Sequence, residues 1–595
     1  MNKKEPYIFS ARPDAFGCRL ISVICALWIS KKLNYNFYFH WISGNDSIKS
    51  NMDKGIDIAS AFYTESVENI FHESFIKKHH VIDNCCYGRN FKENLTLQEL
   101  KKYKQILYSE VIIPYEIFKG LDKNEVLKEI KNIYVNDIIW SKKYYEIIKD
   151  VEYISYKLGD FIAIHMRGGE HIYTKYNQVP FLWANLHHFP YEVALEIAIS
   201  MGNKNKKIVL FGQDLKANEK LIECVNEINP TIIINTIDSL LQKKYSKEDR
   251  VFFDLNCIAK ASQIYSSGYS NFSRLAALIS GKETLVTYFQ SYNTDELYNI
   301  ILKNIDYVNL NNLYKAYSYY RLYDFSTQLN KDISESISFL KKALEHNPNN
   351  YGYIIALNDC YFKINEPNEV ENNLKNIILA NKFEEFEEVF YGIYSKTLWS
   401  YEYYSKIHNK YLDCASLHNF PYISYVASKI YQKVYKNNAK AVEIMSRVIV
   451  YETNNIRFIN LFIELLNLSN LIQANSAKAR IHSHLAYKLG SALIENSKSI
   501  KGYIRLPYVL SYIKDKHKKE QKIYKEKIKE NINLKLPPLD TYPDYKDALK
   551  EKECITYKLG LALMKADKEW YKGGYIKFYF EAKKLKKEFK EKQKG

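Results

Sequence analysis

The chain has 595 residues, against roughly 100–200 per domain, which excludes a single-core protein and predicts several domains. Hydrophobic residues at 47% and charged residues at 26% exclude wholesale disorder, and 20 Gly with 13 Pro exclude a collagen-like or linker-rich chain. The net charge of +17 is concentrated at one end: residues 477–595 carry 30 Lys/Arg against 15 Asp/Glu, and the first 476 carry 55 against 53.

The first 300 residues alternate strand-like and helix-like segments. Tyr7–Ala11 is a short apolar run, and Gly17–Leu33 has apolar residues at helical spacing ending in Lys-Lys. Asn36–Trp41 alternates like a strand, and 45–155 holds several amphipathic stretches. From residue 160 the pattern sharpens. Phe161–Met166, Lys207–Gly212, Thr231–Asn235, Gln263–Ser267 and Thr284–Phe289 read as strands. Between them Tyr191–Met201, Leu215–Ile228 (Leu221, Ile222, Val225 and Ile228 inward), Arg250–Ala261 and Ser273–Ser280 read as helices. Such alternation predicts a parallel sheet covered on both faces, with ligands at the C-terminal strand ends. The loops after Met166, Phe211 and Ser267 are therefore the places to look.

After about residue 305 the strand signals stop. Ile333–Leu344 followed by Glu-His-Asn-Pro-Asn-Asn resembles the second helix of a tetratricopeptide unit. A shift of 34 residues places Leu374 on Leu340, Ile377 on Ala343 and Ile378 on Leu344. A second echo lies near the end: Tyr487-Lys488-Leu489-Gly490 recurs as Tyr557-Lys558-Leu559-Gly560, and Gly502-Tyr503-Ile504 as Gly574-Tyr575-Ile576. This predicts two related helical hairpins.

Nine cysteines at irregular spacing, with no C-x-x-C, argue against a disulfide framework or a structural zinc and fit a reducing compartment. No apolar signal core opens the chain, and the uncharged run Leu20–Ser30 is too short to span a bilayer. The expectation is a cytoplasmic protein. The basic 477–595 region reads either as solvated lysine-rich helix faces or as a peripheral contact with an anionic membrane, worth about 1 kcal/mol per Lys/Arg. Nucleic acid is not expected as a partner, because the sharper motifs sit in the near-neutral part.

Three segments carry candidate chemistry. Ile164-His165-Met166-Arg167-Gly168-Gly169-Glu170-His171 follows a buried strand. With only 11 Arg in the chain, Arg167 stands out. Its planar fork holds two phosphate oxygens at once, while Gly168 and Gly169 permit close backbone approach. The same string also reads as a turn with a surface Arg. In Phe211-Gly212-Gln213-Asp214, Asp214 either caps the next helix or accepts from a guanine edge. The third segment runs from Phe252-Phe253-Asp254-Leu255 to Ser266-Ser267-Gly268-Tyr269-Ser270-Asn271-Phe272-Ser273-Arg274. It puts hydroxyls and free N–H groups at a helix N-terminus, which suits phosphate.

Taken together, in this order and spacing, the segments resemble the α-1,2/α-1,6/protein O-fucosyltransferase superfamily. His-x-Arg-Gly-Gly-Glu is similar to its H-x-R-x-G-D, Phe-Gly-Gln-Asp to F-S-D-D, and the third segment to F-F-D-L…S-x-S-x-F-S-W-W. Gly17-Cys18-Arg19-Leu20 is similar to its N-terminal G-N-[QR]-L. The resemblance covers about residues 10–290. It implies an α/β fold of two Rossmann-like (GT-B-like) domains, at 1–155 on the acceptor side and 156–305 on the donor side. An all-α half follows, tetratricopeptide-like over 306–400 and basic over 401–595.

The resemblance also implies a GDP-sugar donor and no metal or other cofactor. Arg167 would neutralise the leaving diphosphate, and His165 would contact nucleotide or sugar. Apart from the resemblance, a base must take the acceptor proton, and Glu170 or His171 is near the site in sequence. Asp214 would meet the guanine, and Ser270, Phe272 and Ser273 would line diphosphate and base, with Gly17 and Arg19 in the N-terminal donor loop. Cys18 in place of Asn, Glu170 in place of Asp and Arg274 in place of Trp leave the sugar open among fucose, heptose and related deoxy-sugars. The expected acceptor is a growing or lipid-linked polysaccharide such as capsule or lipooligosaccharide. Two other readings stay open: a tetratricopeptide scaffold for protein partners with an inactive Rossmann half, and transfer of a non-sugar group onto capsule sugars.

Overall fold

The computed structural model describes residues 5–41, 65–83, 88–168, 172–173, 186–241, 243–391, 398–415, 420–452, 454–473, 476–530, 538–542 and 544–592. The chain forms two compact units, Met1–Ile407 and His408–Gly595.

The described residues of the first unit form two sheets. In one, strand β1 (Tyr7–Ser10) lies between β2 (Asn36–Phe39) and β4 (Gln105–Ser109), parallel to both, with β3 (Gly88–Arg89) antiparallel on the edge beyond β4. Helix α1 (Phe16–Leu33) connects β1 to β2. It is apolar on nearly all sides because nearly all of it is buried. It stops at Asn34, whose φ of 59° gives a left-handed cap behind Lys31 and Lys32.

The other sheet is wholly parallel, in the order β7 (Ile234–Thr236), β6 (Lys207–Gly212), β5 (Phe161–Met166), β8 (Gln263–Ser266), β9 (Leu285–Thr287). Strand order reverses at β5, the position where doubly wound sheets open a crevice at their C-terminal ends. Buried on both faces over most of its length, β5 is apolar at every position but His165. The flanking helices are α2 (Tyr191–Gly202), α3 (Leu215–Ile228), α4 (Lys247–Ile258) and α5 (Asn271–Ser280). Side chains of both sheets, of α1, α4 and α5 meet in one apolar core that includes Ile8, Leu20, Phe161, Val209, Phe252 and Leu275.

Helix α4 spans Lys247–Ile258 rather than Arg250–Ala261, because Ser246 caps it three residues earlier, and three further details differ from the sequence expectation. Strand β7 starts at Ile234 rather than Thr231, because Thr231 N and Oγ1 donate to Asn229 Oδ1 at 3.1 and 2.7 Å and hold a turn there. Strand β9 ends at Thr287, where a capping box with Gln290 starts a short helix. Ile228, at the last position of α3, is half-exposed rather than inward.

Helices α6 (Thr294–Val308), α7 (Asn312–Gln328), α8 (Ile333–His346), α9 (Tyr351–Lys363), α10 (Pro367–Leu379) and α11 (Phe383–Phe390) follow. Helices α8 and α10 begin 34 residues apart, and Leu340 and Leu374 are fully buried in both.

The second unit is helical throughout its described residues. Its last part contains α12 (Ala477–Ser483), α13 (Leu485–Asn496), α14 (Ile500–Glu530), α15 (Tyr545–Glu553), α16 (Ile555–Lys568) and α17 (Gly574–Lys592). The repeated Tyr-Lys-Leu-Gly strings place Gly490 and Gly560 in the middle of α13 and α16. A Cβ on Gly490 would lie 1.7 Å from the Thr556 carbonyl oxygen, and one on Gly560 would lie 1.6 Å from that of Ala486. Each contact is the other shifted by 70 residues, so the two helices cross backbone to backbone about a local pseudo-two-fold axis. Among the described residues no helix is long and apolar enough to cross a membrane.

Candidate active site at the strand ends

Strand pairing sets the site. In register, His165 of β5 faces Phe211 of β6, and Ile164 faces Tyr265 of β8. The segments singled out by sequence therefore leave the sheet side by side. His165 Nδ1 lies 2.7 Å from Ser273 Oγ, and its ring packs 5.3 Å from that of Phe272. Ser266 Oγ donates to Ser273 Oγ at 2.8 Å, and Ser273 N donates to the capping Ser270 Oγ at 3.3 Å. Ser273 is fully buried and is the centre of this hydroxyl cluster. Ser267 Oγ, next in the loop, is buried and lacks a hydrogen-bond partner among the described residues.

Arg167 follows β5 directly. Its Nη1 donates to the Tyr269 carbonyl at 2.9 Å and lies 3.1 Å from His187 Nδ1. The 186–189 segment ties the two loops together: Phe189 N donates to Arg167 O at 2.8 Å and Tyr269 N to Leu186 O at 2.9 Å. Thus Arg167, His165, Ser270, Phe272 and Ser273 come together. The room at Gly168 is filled by the protein itself, since a Cβ there would lie 2.4 Å from His188 Cδ2. Gly169, Glu170 and His171 lie outside the described residues.

The N-terminal segment completes the arrangement. A Cβ on Gly17 would lie 3.2 Å from Phe272 Cα and 3.3 Å from Asn271 O. The missing side chain thus lets the first turn of α1 touch the first turn of α5, and Asn271 Nδ2 reaches Cys18 Sγ at 3.2 Å. Neither first turn carries an acidic residue, and no side chain caps α1. Two helix N-termini in contact bring partial positive charges together, offset in part by the Asp14 carboxylate, which accepts from Ala15 N at 2.8 Å.

Arg12 adds positive charge just beyond β1. It bonds Ser109 O and Asp14 Oδ2, both at 2.9 Å. Burial pushes the Cys18 thiol up to about 11. Asp14 pushes the same way, while the charges of Arg12 and Arg167 act in the opposite sense. Both guanidinium groups therefore lie within electrostatic reach of Cys18, one from each sheet.

Other sequence candidates have structural partners. Arg19 is buried, its guanidinium bonded to the Asp14 carbonyl and set 5.7 Å from the Trp41 ring centroid. Asp214 caps α3: Oδ1 accepts from Ala217 N at 3.1 Å and Oδ2 from Tyr173 OH at 2.7 Å. Asp254 is held by Arg250 Nε at 2.6 Å, while Arg250 also grips both oxygens of Asp238. Arg274, at the position where the resembled family has Trp, reaches the Val111 carbonyl at 3.0 Å and pairs with Glu116. Arg12 and His187 were missed. The scarcity of arginine that marks Arg167 also marks Arg12, which stands just after a strand; no sequence signal marks His187. Among the described residues no group of three His, Cys, Asp or Glu is placed to hold a metal.

Residues 403–591 match a family described as a domain of unknown function, DUF8374. No curated protein matches the chain. Among solved structures, it is similar to POFUT1 in complex with GDP-fucose, at 12% identity and a TM-score of 0.29 over 48% of this chain and 99% of that one. It is also similar to the fucosyltransferase NodZ from Bradyrhizobium, at 13% identity and a TM-score of 0.28 over 46% of this chain and 93% of that one.

Proposed function

We propose that the protein is a glycosyltransferase that takes a GDP-activated sugar of the fucose, heptose or related deoxy-sugar type. The acceptor would be a lipid-linked or growing surface polysaccharide such as capsule or lipooligosaccharide. The observation that carries this reading is the meeting of two uncapped or serine-capped helix N-termini with Arg12 and Arg167 at the C-terminal ends of the parallel strands β1 and β5. Such a place favours a compact, multiply charged anion. The choice of a guanine nucleotide comes from the resemblance of the His165–Glu170, Phe211–Asp214 and Phe252–Arg274 segments to the fucosyltransferase superfamily.

The chemistry follows from the charges. As the anomeric C–O bond breaks, the β-phosphate oxygen takes the electron pair and the sugar becomes oxocarbenium-like. Arg167, already oriented by the Tyr269 carbonyl, and the N–H groups at the starts of α1 and α5 would stabilise that charge. One preorganised donor of this kind is worth about 3–4 kcal/mol. His165, aligned by Ser273, would meet the nucleotide or sugar. Glu170 or His171 would take the acceptor proton. No metal is invoked, because the guanidinium supplies the positive charge that a cation would otherwise bring. In this scheme 1–155 serves the acceptor and 156–305 the donor. The helices of 306–400 are tetratricopeptide-like, and the protein works in the cytoplasm.

A nucleotide panel of GDP, UDP, CMP and ADP, read by thermal shift, tests it. GDP should raise the melting temperature of the wild type and leave Arg167→Ala unmoved. Stabilisation by a cytidine nucleotide or a sulfonucleotide instead would move the reading to transfer of another group. Stabilisation by none would reject the site.

A further inference from the structure

The duplicated hairpins of the second unit repeat something besides their packing glycines. A 72-residue shift superposes Tyr503 on Tyr575, Ile504 on Ile576 and Tyr508 on Phe580. All six side chains are more than half exposed. Burial does not account for apolar residues that recur at exposed positions in both copies, whereas a shared surface role does. Each triad continues into lysines at helical spacing. On α14 the stripe runs Ile504, Tyr508, Tyr512, then Lys519 and Lys522, with Asp515 between; on α17 it runs Ile576, Phe580, Lys583, Lys587. These lysines are exposed. Over their full lengths α14 carries ten basic against four acidic residues, and α17 seven against three.

We infer that these two matched stripes dock the protein on an anionic lipid bilayer. Tyr, Phe and Ile would enter the headgroup boundary, where rings with one wet and one apolar end are favoured. The lysines, on long flexible stems, would reach lipid phosphates beside them. Charge selects this occupant over a second copy of the chain, since pairing like stripes would set lysine rows against one another. Two matched stripes would make the contact bivalent, so losing either should weaken it far more than halving would suggest.

Sedimentation of the full chain with vesicles of phosphatidylcholine alone, or with phosphatidylglycerol added, tests this without reading any sugar transfer. It therefore stands or falls apart from the donor site. The wild type should pellet only with the anionic vesicles and release in high salt. One variant, Tyr503→Ser/Ile504→Ser/Tyr508→Ser, and the other, Tyr575→Ser/Ile576→Ser/Phe580→Ser, should each raise the lipid needed for half-binding by about a hundredfold. Thermal unfolding should be unchanged, because the replaced groups are exposed.

Failure of the wild type to bind anionic vesicles would overturn the inference, as would wild-type binding in the combined variant. So would loss of only one stripe mattering. A dimer in sedimentation velocity that the variants dissolve would reassign the stripes to self-association. Binding of an acidic polysaccharide lost in the same variants, with no binding to vesicles, would reassign them to polymer.

Discussion

An alanine at Gly490 sets two opposed effects against each other, and the distances decide between them. Gly490 and Gly560 are mid-helical, where alanine is favoured over glycine by about 1 kcal/mol. Against this, the new methyl would lie 1.7 Å from the Thr556 carbonyl oxygen in one helix and 1.6 Å from that of Ala486 in the other. Close carbon–oxygen contacts between backbones settle near about 3.3–3.6 Å, so the helices must part by roughly 1.7 Å. The obstacle is a backbone carbonyl that no rotamer change can move. Opening even a 0.5–1 Å gap forfeits about a quarter to a half of the dispersion energy across it. Overpacking costs about 1–3 kcal/mol, here at the upper end, leaving a net loss of about 2 kcal/mol for Gly490→Ala or Gly560→Ala. The double variant should cost less than the sum, since the second methyl enters a gap the first has opened. Hydrogen exchange on the full chain reads this locally: amides of 485–496 and 555–568 should open about 30-fold more often. Unchanged or slower exchange in the single variants would refute the backbone-to-backbone crossing.

Ser273→Ala removes the buried hydroxyl shared by His165 and Ser266, at about 1–3 kcal/mol. A fall in melting temperature of about 2–4 °C is expected, and none would show that the hydroxyl cluster is not formed. Arg250→Met leaves the carboxylates of Asp238 and Asp254 without their cation. Breaking such a pair costs about 3 kcal/mol, visible as an earlier urea midpoint; an unchanged midpoint would contradict the network. Acid should loosen the α13–α16 pair. Tyr557 OH lies 2.9 Å from His484 Nδ1, and burial holds the His484 imidazole below its ordinary value. The folded form therefore takes up this proton less readily than the unfolded chain. The stability is present above about pH 6.5 and is lost as pH falls through the lower folded value. Exchange in 485–496, corrected for intrinsic rates, should rise on acidification, and His484→Gln should flatten that rise.

The parallel sheet around β5 was legible because a strand buried on both faces is largely apolar, and Phe161–Met166 is apolar at every position but His165. Arg167 was legible because arginine is scarce and its place follows a strand. The duplication was visible as repeated Tyr-Lys-Leu-Gly. Other features depend on tertiary approach, which no local pattern records. That Phe272 lies against Gly17, and His188 against Gly168, is such an approach. Asp214 carries one signature for two roles, and the α3 N–H with Tyr173 make it a cap. His187 joins Arg167 only through the chain path of 186–189.

The Gly17–Phe272 contact has a mechanical consequence. One helix belongs to the sheet of β1 and the other to the sheet of β5, and they bear on each other at bare backbone. Because both sheets also share one apolar core, this bare-backbone contact fixes the spacing between the starts of the two helices.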